Sequence, residues 1–312
     1  MMRRPSARAD APGPARPCAD RRSTRIGIDM ADASFAADRA TAGCSGRSAG
    51  IGPWRAGGLA AAVLVMLGVT VPGVLPPAAA VEAGRGPACT APTELLRTTR
   101  PLPHFMRKLT ENQPVKIVAL GSSSTFGHGA TSPAASYPAR LEAELRALRP
   151  GQEISVVNRG INGNVSRDEM LRFDRDVIAE RPDLVIWQVG TNTLLRGQDM
   201  WSVFLDVRAG VQRLNALGAD VLLMNLQYSP EVLKRANYPD MLDLLAVAGR
   251  ETRIDVFDRF GIMKSWSERQ RYGFDVFITA DGLHMNDWSY GCLAKLLALT
   301  LNAAAQGATA GR

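Results

Sequence analysis

The chain has 312 residues, 46% of them hydrophobic and 21% charged, with 29 Gly, 19 Pro and 4 Cys. That composition suits one or two globular domains and excludes a collagen-like, disulfide-dense or wholly disordered protein. The formal charge of +7 is no pointer to nucleic acid: residues 1–55 hold ten Arg and five Asp, while the rest carries 27 Lys or Arg against 25 Asp or Glu without basic runs.

Residues 1–55 are rich in Ala, Arg, Ser, Gly and Pro and have no sustained apolar period. They read as a disordered basic leader or an over-long start, with Met30 as an alternative initiator. Residues 56–83 follow as a signal-peptide core, since Leu59-Ala-Ala-Ala-Val-Leu-Val-Met-Leu-Gly-Val has the right length and Ala78 and Ala80 supply an A-x-A cleavage site. A membrane anchor over residues 56–81 is the competing reading, against which Pro72, Pro76 and Pro77 break its second half. Either way the folded part is expected outside the cytoplasm, periplasmic or secreted. Cys18 and Cys44 fall in the leader, which leaves Cys89 and Cys292. Two cysteines in an exported domain predict one disulfide, with two unpaired buried thiols as the alternative.

Residues 84–114 are polar and Pro-punctuated, an extended arm without much regular structure. From residue 115 to 306 short apolar runs alternate with helical periods. Strands are predicted at 116–120, 154–158, 184–189, 221–226 and 254–258; their continuous apolar character marks burial on both faces. Helices are predicted at 137–148, 166–181, 201–217, 240–252 and 287–305. Such alternation implies one α/β domain, a parallel sheet covered on both sides with right-handed crossovers. Ligands of such sheets bind beyond the carboxyl ends of the strands, which directs attention to the loops starting at Gly121, Arg159, Gly190 and Gln227.

After the first strand stands Gly121-Ser122-Ser123-Ser124-Thr125-Phe126-Gly127, a hydroxyl run at a strand tip before a helix. A serine there meets a ligand while backbone N–H groups back it; taken alone, the run also reads as a turn. A phosphate loop would need Lys after Gly127, where His128 stands. Near the chain end, Asp281-Gly282-Leu283-His284 places a carboxylate three residues before an imidazole, able to fix its tautomer and stabilise its cation. The plainer reading is a helix N-terminal box capped by Asn286 or Asp287. The chain has three histidines; His104 precedes the first strand, and His128 reads as solvated, so His284 is the candidate base. Gly163, in the loop after the second strand, offers a backbone N–H unobstructed by a side chain, and Asn192, after the third, offers a carboxamide. With the Ser123 N–H these compose an oxyanion hole, whose single donors are worth roughly 3–4 kcal/mol of barrier. No H-E-x-x-H or paired-Cys spacing suggests a metal, and G-x-G-x-x-G is met only partly and too late in the loop for a nicotinamide. Trp187, Trp201, Trp266 and Trp288 could line a pocket but fit core packing better. Tyr228-Ser229-Pro230 and the polar segment up to Pro239 form the candidate substrate-facing loop.

On these residues the chain resembles the SGNH hydrolases, the GDSL-type lipases and esterases, over residues 115–303. Gly121-Ser122-Ser123-Ser124-Thr125-Phe126-Gly127 is similar to the family's G-D-S-x-x-x-G block, Gly163 to its second-block glycine, Gly190-Thr191-Asn192 to G-x-N, and Asp281 with His284 to D-x-x-H. The resemblance implies a flavodoxin-like three-layer α/β/α domain with a five-stranded parallel sheet, and hydrolysis of a small-molecule, glycan or lipid ester without metal or cofactor. It implies Ser123 as nucleophile, Asp281 and His284 as the remainder of a triad, and Ser123, Gly163 and Asn192 as oxyanion donors. Two departures stand out: Ser122 where the family has Asp, and Thr193 where Asp often follows the third-block Asn. An O-acyltransferase with the same residues, or a non-catalytic glycan-binding protein of the cell envelope, are the alternative functions.

Overall fold

The computed structural model describes residues 87–310, so the basic leader (1–55) and the signal or anchor segment (56–83) lie outside the described residues. The apolar runs form β1 (Val115–Gly121), β2 (Ile154–Gly160), β3 (Leu184–Gln188), β4 (Asp220–Met224) and β5 (Asp255–Phe257). They pair in parallel in the order β2-β1-β3-β4-β5. This is the flavodoxin-like order, whose reversal of winding opens a crevice between the carboxyl ends of β1 and β3. Helix α1 (Pro103–Thr110) precedes β1; α2 (Ser123–Phe126) and α3 (Tyr137–Leu148) connect β1 to β2; α4 (Ser166–Leu171) and α5 (Phe173–Asp176) lead to β3. Then come α6 (Thr191–Leu195) and α7 (Trp201–Ala216) before β4, and α8 (Pro230–Leu233) and α9 (Tyr238–Thr252) before β5. The chain closes with α10 (Arg259–Glu268), α11 (Phe274–Phe277) and α12 (Asp287–Ala310).

The two faces of the sheet follow from the alternation of side chains along each strand. Ile117, Ala119, Ile186 and Met224 face one apolar layer with Phe105 of α1, Leu141 of α3, Trp266 of α10 and Leu297 of α12. Val118, Leu120, Trp187 and Leu223 face the other, with Phe173 of α5, Val207 and Val211 of α7 and Leu245 of α9. The result is a three-layer α/β/α domain in which each fully buried aliphatic side chain contributes about 1.5–3 kcal/mol. Trp187 and Trp266 are buried in these layers, Trp288 packs edge-on against Trp266, and Trp201 is exposed and stacked on Phe204. Among the described residues no helix is long and apolar enough to cross a membrane.

Beyond the short helices α6, α8 and α11, which were not predicted either, three longer stretches depart from the sequence expectation. The arm is not irregular throughout: residues 93–96 form a 3-10 turn, and α1 buries Phe105 and Leu109, an i, i+4 pair, in the core. Its prolines mislead, because Pro103 sits in the first turn, where the missing N–H costs nothing. The single helix expected over 166–181 is broken into α4, α5 and a 3-10 turn at Ile178–Glu180, because the chain turns at Arg172 to bring its guanidinium inside. Helix α10 was not anticipated at all; the Asp258 carboxylate caps it by accepting from the Gly261 N–H at 2.9 Å. The arm is held to α12 by a disulfide between Cys89 and Cys292, with Cα atoms 5.4 Å apart. Indole N–H groups reinforce it, Trp266 donating to the Thr90 carbonyl at 3.0 Å and Trp288 to Pro87 at 3.1 Å.

Candidate active site

At the tip of β1 the chain passes directly into the short helix α2, and two close approaches enforce the turn. A side chain at Gly121 would collide with Thr125 Oγ1, and one at Gly160 with the Phe126 backbone, so β2 ends packed against α2. The three serines of this loop separate cleanly. Ser122, in the position where the motif has Asp, turns inward: its N–H and its hydroxyl both donate to Gln188 Oε1 at 3.0 Å. Ser124 is buried. Ser123 Oγ lies 2.9 Å from His284 Nε2.

His284 comes from the loop before α12, a segment pinched shut by the bridge between Ile278 and Met285 and by the Thr279 N–H donating to the His284 carbonyl at 2.8 Å. Gly282, at φ +71°, lets the chain reverse inside it. The pinch places Asp281 Oδ2 2.5 Å from His284 Nδ1. Asp281 Oδ1 accepts from the Thr279 hydroxyl at 2.7 Å and from the Leu283 and His284 N–H groups at 2.9 Å each. Burial alone would raise the Asp281 pKa, but these donors outweigh it and hold the carboxyl far below the ordinary range. For His284 burial wins: it pushes the imidazole below its ordinary value against the pull of Asp281, with the neighbouring His128 adding to the depression. A neutral imidazole, protonated on Nδ1 by its bond to the carboxylate, therefore faces the Ser123 hydroxyl near neutral pH.

The loops after β2 and β3 flank this chain of contacts. Gly163 has φ +78°, and its turn is gripped from α6 and the residue after it: Asn192 Nδ2 donates to the Asn164 carbonyl at 2.8 Å and Arg196 Nη2 to the Gly163 carbonyl at 2.6 Å. One carboxamide proton of Asn192 is thereby engaged, leaving the second to donate elsewhere. The Ser123 and Gly163 N–H groups have no acceptor among the described residues. Thr193 is buried. Tyr228, the candidate substrate-loop residue, is half-buried, stacked on Phe274 and edge-on to Phe260. Its neighbours Gln227 and Ser229 are buried, so the first part of that loop braces the site from within.

Two residues of this neighbourhood, Arg172 and Gln188, were not singled out in the sequence, and Gln227 was marked only as the start of a loop. Arg172 donates to the Gly121 and Arg159 carbonyls at 3.0 and 2.8 Å and to Asn164 Oδ1 at 2.9 Å, joining the loops after β1 and β2, while Asp176 balances its charge. Gln188 fixes the backbone of Ser122. Gln227 accepts from Thr191 and Arg259 through one oxygen. His128, read as merely solvated, is exposed but packs on the His284 ring with centroids 4.2 Å apart, its carbonyl held by the Tyr290 hydroxyl at 2.7 Å. His128, Asp281 and His284 each bring one donor atom within 4.8 Å of the others, but the latter two are already engaged with each other and with Ser123. His104 lies at the opposite end of the sheet, 2.7 Å from Asp183.

Comparison with known proteins matches residues 88–307 to the non-GDSL lipase-like family. An acetylxylan esterase of Geobacillus stearothermophilus is 42% identical over 80 residues, 26% of this chain and 33% of the relative. An arylesterase of Vibrio mimicus is 29% identical over 126 residues, 40% of this chain and 60% of the relative. The matched segments thus span between a third and three fifths of these relatives. Among solved structures, an acetyl-xylooligosaccharide esterase from Geobacillus superposes with a TM-score of 0.52 at 23% identity, covering 60% of this chain and 94% of the other. A two-domain esterase active on acetylated mannans superposes with a TM-score of 0.59 at 17% identity, covering 69% and 57%. At these identities the superpositions establish the fold. A loop carrying Gly-Ser-Ser in place of Gly-Asp-Ser, on a 2-1-3-4-5 parallel sheet, agrees with the match over most of the described residues: the chain belongs to the non-GDSL lipase-like family of SGNH-type hydrolases.

Proposed function

We propose that the protein is a serine esterase that hydrolyses a carboxylic ester, with an acetyl or other acyl group, outside the cytoplasm. The observation that carries this reading is the continuous hydrogen-bonded chain from Ser123 Oγ through His284 to Asp281, at 2.9 and 2.5 Å. His284 removes the hydroxyl proton as Ser123 Oγ attacks the ester carbonyl; Asp281 stabilises the imidazolium that forms. The oxyanion is received by the Ser123 and Gly163 N–H groups and the second carboxamide proton of Asn192. The protonated His284 then delivers its proton to the departing alcohol, and water, deprotonated by the same imidazole, resolves the acyl-enzyme. Names among the relatives, acetylxylan esterase and arylesterase, support an ester substrate, a small molecule or an esterified glycan. Export is supported by the uncharged segment at 56–81 and by the Cys89 and Cys292 pair, since disulfides persist in oxidising compartments.

The test is hydrolysis of p-nitrophenyl acetate by the purified protein and by Ser123→Ala. Release of p-nitrophenol by the wild type, abolished in a folded Ser123→Ala protein, is the expected result. A folded wild type with no turnover on acetyl, butyryl or aryl esters would favour a binding role instead.

A further inference from the structure

Behind the loops after β3 and β4 lies a charge with no salt-bridge partner among the described residues. Arg259, the first residue of α10, is fully buried. A guanidinium has five N–H donors. Arg259 uses Nε and Nη2 on neutral acceptors: Nε and Nη2 reach the Asn225 carbonyl at 3.0 and 2.7 Å, and Nη2 reaches Gln227 Oε1 at 2.8 Å. Nη1, with two N–H groups, is buried and has no partner among the described residues. Among the described residues Arg259 enters no ion pair: the carboxylate beside it in the chain, Asp258, is engaged by the Asn225 carboxamide at 2.7 Å and the Gly261 N–H at 2.9 Å, and the phenols of Tyr137 and Tyr290, which burial pushes well above their ordinary range, stay neutral. Burial lowers Arg259 itself to about 10, so it remains a cation at neutral pH. Ser229, two residues beyond Gln227, also has a fully buried hydroxyl without a partner. An isolated buried cation is among the costliest arrangements in a protein interior unless it is paired.

We propose that a small monovalent anion, chloride under physiological conditions, occupies the interior beside Arg259 Nη1 and neutralises this guanidinium. Bound water would satisfy the geometry of Nη1 but leave the charge uncompensated. The placement gives the ion a role in the site's stability. Arg259 and the Thr191 hydroxyl share Gln227 Oε1, and the Gln227 carboxamide reaches the Leu283 carbonyl at 3.5 Å, so one side chain joins the loops that carry Asn192 and His284. An ion on Nη1 stiffens that junction without touching the reacting atoms.

The experiment is thermal unfolding of the full chain at constant ionic strength, exchanging sodium gluconate, whose anion is too bulky for such a site, for sodium chloride or bromide. A saturable rise in Tm of roughly 3–6 °C at tenfold excess over the dissociation constant is expected with either halide. The same titration on Arg259→Met should be flat. Because that variant removes several hydrogen bonds and can fail to fold, a crystal grown in sodium bromide supplies the independent measurement. An anomalous peak within hydrogen-bonding reach of Nη1 supports the proposal. A Tm that follows ionic strength alone, or density at Nη1 that is water without anomalous signal, overturns it.

Discussion

Replacing Glu169 by Gln should remove a large alkaline instability. Glu169 lies on α4, fully buried, and accepts a hydrogen bond from the Trp187 indole at 2.7 Å. Desolvation, opposed by that bond and by Arg172 and reinforced by Asp168 and Asp206, raises its pKa from 4.5 to about 8. The folded protein therefore keeps a proton that the unfolded chain has given up across the whole window from 4.5 to about 8. Stability must fall as pH rises through that window and level off above it. A shift of this size corresponds to about 5 kcal/mol, as an order of magnitude. For a domain of this size that is roughly 10–20 °C in Tm. Glutamine imitates the neutral acid, keeps an oxygen for the Trp187 N–H and cannot titrate. Thermal unfolding of both proteins between pH 5 and pH 9 isolates this group, because every other titration is common to the two. The Tm of Glu169→Gln should exceed that of the wild type by a margin that grows with pH until about 8. Parallel curves would show that Glu169 is ionised in the fold and that the burial argument fails.

Other expectations concern the site itself. Asp281→Asn keeps an oxygen for the backbone donors but forfeits the charge and the tautomer of His284; kcat should fall by roughly 10⁴ with the fold intact by circular dichroism. Asn192→Ala removes the proposed oxyanion donor and the brace on the Asn164 carbonyl, so kcat should fall roughly 10²–10³-fold with a much smaller change in KM. His128→Gln removes a neighbour that helps to depress His284, whose activity as a base needs the neutral form. The acid limb of the pH profile of kcat/KM should therefore move to higher pH, and an unmoved limb would show that the two rings do not communicate.

The sheet was legible because strands covered on both faces, such as Val115–Gly121 and Leu184–Gln188, are written as uninterrupted apolar runs. Ser123, Asp281 and His284 were legible because a hydroxyl loop at a strand tip and a carboxylate three residues before an imidazole are local patterns. What the sequence hid depends on distance along the chain. Arg172 lies 51 residues from the Gly121 carbonyl it binds, and Gln188 lies 66 residues from Ser122. Neither spacing carries any signal, and Arg172 sits within a period that reads as one unbroken helix. The contact of His128 with His284 is likewise a product of loop packing, invisible to a reading that weighs each histidine by its neighbours in sequence. Ser122 illustrates the converse: it looked like a loss from the motif, whereas in the fold its N–H and hydroxyl donate to Gln188 and anchor the loop.

Covalent labelling with a fluorophosphonate probe, followed by peptide mapping of the modified residue, tests directly whether Ser123 is the nucleophile. A single adduct on Ser123 is expected, greatly slowed in His284→Ala and absent in Ser123→Ala. An adduct on Ser122 or Ser124, or a folded wild type that takes up no label, would contradict the assignment of Ser123 and His284 as nucleophile and base.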